Sequence, residues 1–352
     1  MNEKGSISSP GRICLFGEHQ DYLGLPVIPM AINKRLKLNY QLKKKPSHVS
    51  ISSYQVNHAE NMSYDQKPVL IGSCYDYLRA VYMYFWDQMD HYPISKLKID
   101  SKIPIRAGLS SSAALLVATT FLFNAILNLK YTYKELAEIA YHCEHEILGV
   151  SCGRMDQYAS SLGGIFYMTS DVNPTIVPLN LNDKAFFVIG NSNIERKADL
   201  PLKTVQKSIF QGLCILKNSN LIDLNSREIE AGNLTKLQKN KLKGVIGVRN
   251  NTQKALDELK KNKPDLAYIG ALLSKQQNYL KTNYGVSHPK LNKMCEIAEK
   301  CGALGAKLTG AGFGGCMFAL CADKTIALRV RDELQKIGIS FITKIDSGVR
   351  ED

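Results

Sequence analysis

Four short segments carry residue types that an ordinary core would not want. In Pro10-Gly-Arg-Ile-Cys-Leu-Phe-Gly-Glu-His-Gln-Asp-Tyr22, Arg12, Glu18, His19 and Asp21 bracket a short apolar strand. Carboxylates accept from hydroxyls and histidine donates or accepts, so this density suits a polyhydroxylated ligand; the same residues also make a polar turn. In Pro104-Ile-Arg-Ala-Gly-Leu-Ser-Ser-Ser-Ala-Ala114 a glycine and three serines run straight into a helical pattern. A helix N-terminus presents free N–H groups and partial positive charge, a ready cradle for phosphate, although any of these serines could simply be an N-cap. In Cys143-Glu-His-Glu-Ile-Leu-Gly-Val-Ser-Cys-Gly-Arg-Met-Asp-Gln157, Glu144 and Asp156 flank a glycine-containing loop. Two such acids can divide the work, one holding a hard cation and one acting as base. In Lys307-Leu-Thr-Gly-Ala-Gly-Phe-Gly-Gly-Cys316 four glycines fall within six residues and let backbone approach a ligand closely. That loop precedes an apolar run instead of opening a helix after a strand, which argues against a dinucleotide fingerprint, and no Walker-type loop is present. His142, Cys143 and His145 invite a zinc reading but lack a His-x-x-x-His pair and a distant ligand pair.

These segments need elements to position them. Val27–Ile32 is compact and apolar, and Leu36–Leu42 and Leu97–Ile103 alternate, so all three read as strands. Helical spacing covers Tyr75–Phe85, and Ser112–Leu129 reads as a buried helix rich in Ala and Leu. Thr132-x-x-Glu135 is a capping box opening a helix that ends by Gly149. Strands follow at Gly163–Tyr167 and Ala185–Gly190. Residues 200–300 are helical with breaks at 217–220 and 231–241, and an apolar run at Cys316–Cys321 precedes a last helix near Ile326–Ile337. A composition shift around 175–183, at Asn173-Pro174, marks the expected domain boundary.

The 352 residues suit about two domains at roughly 150 residues each. With 45% hydrophobic and 22% charged residues the chain is neither disordered nor fibrous. There is no basic-then-apolar leader and no membrane-length apolar run, and nine cysteines without a Cys-x-x-Cys pair read as reduced thiols in the cytoplasm. The net charge of +13 comes from scattered lysines without interleaved aromatic residues, so it reads as solvated surface; no nucleic-acid or membrane partner is expected.

Taken in order, the four segments resemble the GHMP kinases, and within them the galactokinase family. The carriers are Pro10-Gly-Arg…Gly17-Glu-His-x-Asp-Tyr…Pro29-Met-Ala-Ile, Gly108-Leu-Ser-Ser-Ser-Ala-Ala, Glu144-His-x-x-x-Gly-x-x-Cys-Gly-x-Met-Asp-Gln157 and Thr309-Gly-x-Gly-Phe-Gly-Gly-Cys316. A mevalonate kinase usually has Lys at position 12 and lacks the Asp-Tyr. The resemblance implies an α+β (α/β mixed) two-domain fold. Residues 1–178 would form a domain like ribosomal protein S5 domain 2, holding the ATP cradle and most sugar contacts, and 179–352 a ferredoxin-like α+β domain. It implies an ATP-dependent sugar 1-kinase acting on galactose or a related sugar. Asp156 would be the base for the anomeric hydroxyl, with Arg12 beside it. Gly108, Leu109, Ser110, Ser111, Ser112 and Ala113 would cradle ATP, and Ser112 and Glu144 would hold Mg²⁺. Glu18, His19, Asp21, Gly153 and Asp156 would contact the sugar, and Gly310, Gly312, Gly314 and Gly315 would shape the site near the transferring phosphoryl group. A monomer or homodimer is expected.

Three places depart from that pattern. The family's sugar-contacting Tyr is missing from Ile194-Glu-Arg-Lys-Ala-Asp-Leu-Pro-Leu-Lys203, Cys74 replaces an aromatic residue by the adenine pocket, and Arg154 replaces an apolar one. Arg154 or Arg196 could pair with a carboxylate, or both could be surface residues. A kinase of a uronic acid, amino sugar or pentose is therefore an alternative, as is a silent sugar sensor; the presence of Arg12, Ser112, Ala113, Glu144 and Asp156 weighs against the sensor.

Overall fold

A computed structural model describes residues 3–89, 93–181, 185–195, 199–217 and 220–352. Two sheets organise the chain. The first has the order β12-β1-β2-β5-β3-β4, built from β1 (Lys4–Phe16), β2 (Ile28–Leu42), β3 (His48–Ser53), β4 (His58–Ser63), β5 (Ile94–Ser101) and β12 (Arg350–Glu351). A side branch of β6 (Ile165–Met168) and β7 (Ile176–Leu179) joins it through β2. The second sheet has the order β11-β8-β10-β9, from β8 (Phe186–Asn191), β9 (Gly305–Leu308), β10 (Cys316–Cys321) and β11 (Ile339–Thr343), all antiparallel.

Helices α1 (Asp76–Phe85), α2 (Ser111–Leu127), α3 (Tyr133–His142) and α4 (Met155–Leu162) pack on one another and, through α2 and α4, on β1 and β2. Eight consecutive residues of α2, Ala113–Thr120, are buried, and so are Leu122 and Phe123 beyond Phe121, as its Ala- and Leu-rich sequence requires. The expected capping box of α3 is formed: the Thr132 hydroxyl accepts from Glu135 N, and Glu135 accepts from Thr132 N. Beyond His142 the helix does not stop but widens into a π-helical turn, Cys143–Ile147. The second half carries α5 (Asp199–Leu216), α6 (Ser226–Ala231), α7 (Lys236–Leu259), α8 (Leu266–Asn278), α9 (Pro289–Lys300) and α10 (Lys324–Gln335). The break expected at 231–241 is shorter, because Thr235 and Gln238 form another capping box that starts α7 inside it.

The runs expected as two strands at Val27–Ile32 and Leu36–Leu42 belong to one long strand. The polar residues between them form a bulge, where pairing with β1 jumps from Ile32–Gly11 to Arg35–Pro10. The expected division at 178/179 falls inside β7, so the first unit keeps its strand to Leu179 and also takes back Arg350–Glu351 as β12. One apolar core runs through both units: Ile13, Leu109 and Leu116 belong to the same cluster as Phe187, Phe318 and Leu256.

Candidate functional site

The centre of the site is an ion pair at the end of a buried strand. Arg12 on β1 is 4% exposed, and its Nε and Nη2 donate to the two carboxylate oxygens of Asp156 at 2.8 and 2.9 Å. Its Nη1 donates to the Gly108 carbonyl at 2.6 Å, and its backbone N–H to Leu109 O at 3.2 Å. Burial works against the guanidinium's charge, but Asp156 and Glu18 outweigh it and hold the group above its ordinary value. Asp156 itself lies in the first turn of α4, oriented by this two-point contact.

The same arginine fixes the loop leading into α2. Ser110 occupies the N-cap position in a left-handed conformation (φ 61°), with no side-chain cap, and its buried hydroxyl has no hydrogen-bond partner among the described residues. A serine placed to cap its helix thus leaves the N-terminal N–H groups open. Gly108, Leu109, Ser110, Ser111, Ser112 and Ala113 make up this loop and the first turn of α2, where unbonded N–H groups and the positive end of the helix dipole favour an anion.

Glu18, His19 and Asp21 follow β1 but do different things. Glu18 is buried: its Oε2 takes Lys307 Nζ at 2.9 Å and its Oε1 takes Gly310 N at 2.8 Å. Lys307 is fully buried on β9 and also donates to Cys14 O at 2.7 Å. Together with Cys14 N donating to Thr309 Oγ1 (3.1 Å), these contacts clamp the glycine loop to the end of β1. Gly310, Gly312, Gly314 and Gly315 all have positive φ, and a Cβ on Gly312 would sit 2.1 Å from Val286 O. His19 has a φ of 65°, lies 3.1 Å from the Tyr22 hydroxyl through Nδ1 and stacks on Tyr284. Asp21 touches Gly153 so closely that a Cβ there would lie 2.0 Å from its Oδ2. Burial, and then the field of Asp156, push the Asp21 carboxyl up to about 7. Asp21 and Gly153 line a cavity of about 360 Å³ with Arg154, Tyr141, Gln206 and Phe210.

Glu144 sits in the π-helical turn, which rotates it inward; it is 5% exposed, and Gln157 Nε2 donates to its Oε2 at 2.6 Å. Burial and Asp156 push it up to about 7, opposed by hydrogen bonds from Ser112 and Gln157. The site thus brings Arg12, Ser112, Glu144 and Asp156 together, with Asp21 and Gly153 on one flank and Glu18 with the glycine loop on another.

Sequence reasoning missed Lys307 as the partner of Glu18, although a lysine opening a glycine-rich motif among small apolar residues was a visible signal. It also missed Gln157, which directly follows Asp156 in the motif, and Tyr141, Gln206 and Phe210, which the tertiary fold brings to the cavity. Arg154 is not a free surface residue: its Nε pairs with Glu138 at 3.0 Å. Arg196 lies outside the described residues. The cysteine and one histidine of the apparent zinc cluster have other contacts, with Cys143 Sγ on Ala80 O and His145 Nδ1 3.2 Å from Val150 O.

Three family models match the chain: the galactokinase galactose-binding signature over residues 2–38, the GHMP kinases N terminal domain over 73–164 and the GHMP kinases C terminal over 253–340. The galactokinase of Thermosipho africanus is 30% identical, covering 90% of this chain and 89% of its own. That of Glaesserella parasuis serovar 5 is 27% identical, covering 98% and 94%. The crystal structure of Lactococcus lactis galactokinase complexed with galactose superposes with a TM-score of 0.87 at 25% identity, covering 99% of this chain and 95% of that one.

Proposed function

The chain belongs to the galactokinase family of GHMP kinases, and from that membership and the site geometry we propose that it transfers the γ-phosphoryl group of ATP to the anomeric hydroxyl of galactose or a related sugar. The observation that carries this reading is the Arg12–Asp156 pair set beside the uncapped N-terminus of α2. Asp156 takes the proton of the anomeric hydroxyl, the sugar oxygen forms a bond to the γ-phosphorus, and the bond to the β-phosphate oxygen breaks to release ADP. Arg12 orients Asp156 and opposes negative charge as it develops. The open N–H groups at 110–113 hold the nucleotide phosphates. Phosphoryl transfer rests on such positioning and neutralisation more than on covalent chemistry.

Glu144 fits a Mg²⁺ ligand. It is a buried carboxylate with Ser112 and Gln157 as hydrogen-bond partners and no ion pair among the described residues, and a hard cation favours such oxygen donors. Ser112 and Glu144 would hold the ion, which when bound offsets charge on the nucleotide phosphates. Asp21 and Gly153 meet the sugar, and Gly310 to Gly315 border the phosphoryl group, while Glu18 acts through the loop it holds. No helix among the described residues is long and apolar enough to cross a membrane, and none of the nine cysteines is paired, which supports a reducing cytoplasmic setting.

A coupled ADP-release assay over galactose, N-acetylgalactosamine, galacturonate, glucuronate, arabinose and mevalonate tests the reading. Turnover is expected on galactose or a close relative. Asp156→Asn should lower kcat by about 10²–10⁴-fold while sugar and ATP still bind. Failure of every sugar, or a near-normal kcat in that variant, defeats the assignment.

A further inference from the structure

The cavity beside Asp21 contains a guanidinium that is held in place but only half used. Arg154 occupies the N-cap position of α4 without capping it through its side chain, next to Gly153. Its Nε donates to both oxygens of Glu138, at 3.0 and 3.1 Å, and its plane lies over the Tyr141 ring with 4.2 Å to the centroid. Glu138 is held from the other side by the Tyr158 hydroxyl at 2.7 Å, so the acceptor that positions the arginine is itself anchored. The side chain is 19% exposed, yet among the described residues Nη1 and Nη2 have no hydrogen-bond partner.

Resting on the kinase reading above, we infer that Arg154 recognises a carboxylate on the part of the sugar remote from the anomeric centre, so that the chain accepts a uronic acid. The geometry is directional. A sugar with its anomeric hydroxyl at Asp156 and a neighbouring hydroxyl at Asp21 extends past Gly153 into the cavity that Arg154 lines. The uncommitted edge of the guanidinium is a pair of parallel N–H donors, the shape that a planar carboxylate accepts at two points. Arginine already carries the cost of being held against Tyr141 and Glu138, so little freedom is lost when the ligand binds. A phosphate in the same place would meet a single guanidinium already half neutralised by Glu138, which suits a monoanion better than a dianion. A neutral N-acetyl group would leave the two donors poorly matched.

The experiment compares kcat/KM for galacturonate, galactose, N-acetylgalactosamine and galactose 6-phosphate in the full chain, then repeats it with Arg154→Gln and Arg154→Lys. The wild type is expected to use galacturonate. Arg154→Gln should lower the galacturonate-to-galactose ratio by about 10- to 100-fold, mainly through KM, the scale of a charge-assisted hydrogen bond. Arg154→Lys keeps the charge but not the fork, so it should lower the ratio by less, and it serves if the glutamine variant fails to fold. Turnover of galactose without galacturonate, a preference for the 6-phosphate or the N-acetyl sugar, or a ratio that neither variant moves, overturns the inference and leaves the kinase reading standing. Turnover of no sugar at all defeats both.

Discussion

At the scale of single residues, the site is a set of carboxylates kept apart by their partners. Asp156 is tied to Arg12, Glu18 to Lys307, and Asp21 and Glu144 are left to burial and to the field of Asp156. That division has a measurable consequence. The Asp21 carboxyl gives up its proton near 3.8 in the unfolded chain but only at about 7 in the folded one. Between those values the folded state binds more protons, so stability is greatest below the lower value and falls as pH rises through the window. At about 1.4 kcal/mol per unit, the loss is on the order of a few kcal/mol by pH 8. Asp21→Asn removes it. The melting temperature of the ligand-free variant, minus that of the wild type, should therefore grow between pH 5 and pH 8. A difference independent of pH would show that Asp21 does not carry the shift.

At the scale of elements, two strand ends and one loop hold the site. Lys307, fully buried on β9, closes the gap between the end of β1 and the glycine loop by bonding Cys14 O and Glu18 together. Lys307→Met strands the Glu18 carboxylate with Gly310 N as its one remaining hydrogen bond among the described residues. The expected cost is about 3–5 kcal/mol in denaturant unfolding, and adding Glu18→Gln should recover part of it. If Lys307→Met unfolds at the wild-type denaturant midpoint, the clamp is not structural. The elements that sequence patterns revealed were those whose cause is local. The α3 capping box needs only Thr132 and Glu135, and the residues of α1 that face its neighbours recur at helical spacing. Those missed have remote causes. Strand β2 was legible as two runs because Asn33-Lys34-Arg35 looks like a turn, whereas distant residues at 341–348 hold that polar triplet. In the site, Arg12 and Asp156 were legible as types, but the partnership of Glu18 with Lys307, 289 positions away, belongs to the tertiary structure.

At the scale of the molecule, that triplet is the point where the end of the chain is locked to its beginning. Asn33 Oδ1 accepts from the Thr343 hydroxyl and Lys344 N, Lys34 lies over the Phe341 ring, and Arg35 bonds Asp346 and the carbonyls of Ser347 and Gly348. Val349 enters the shared core, and β12 then pairs with Ile7 and Ser8 of β1. The strand that receives the tail is the same one that presents Arg12 four residues later. The two units are thus not independent bodies joined by a linker: the second sheet borders the site through Cys316 N, which donates to Ala107 O, and the tail braces the strand from its other edge. Removing residues 344–352 should leave Arg35 half-buried without its acidic partner and open the edge of β1. The cost should be several kcal/mol, a drop in melting temperature on the order of 10 °C. Because one core spans both sheets, the loss should appear as a single calorimetric transition moved down in temperature, with kinase activity lost along it. Two separated transitions, one at the original temperature, would mean that the halves fold alone and that the tail is only an edge strand.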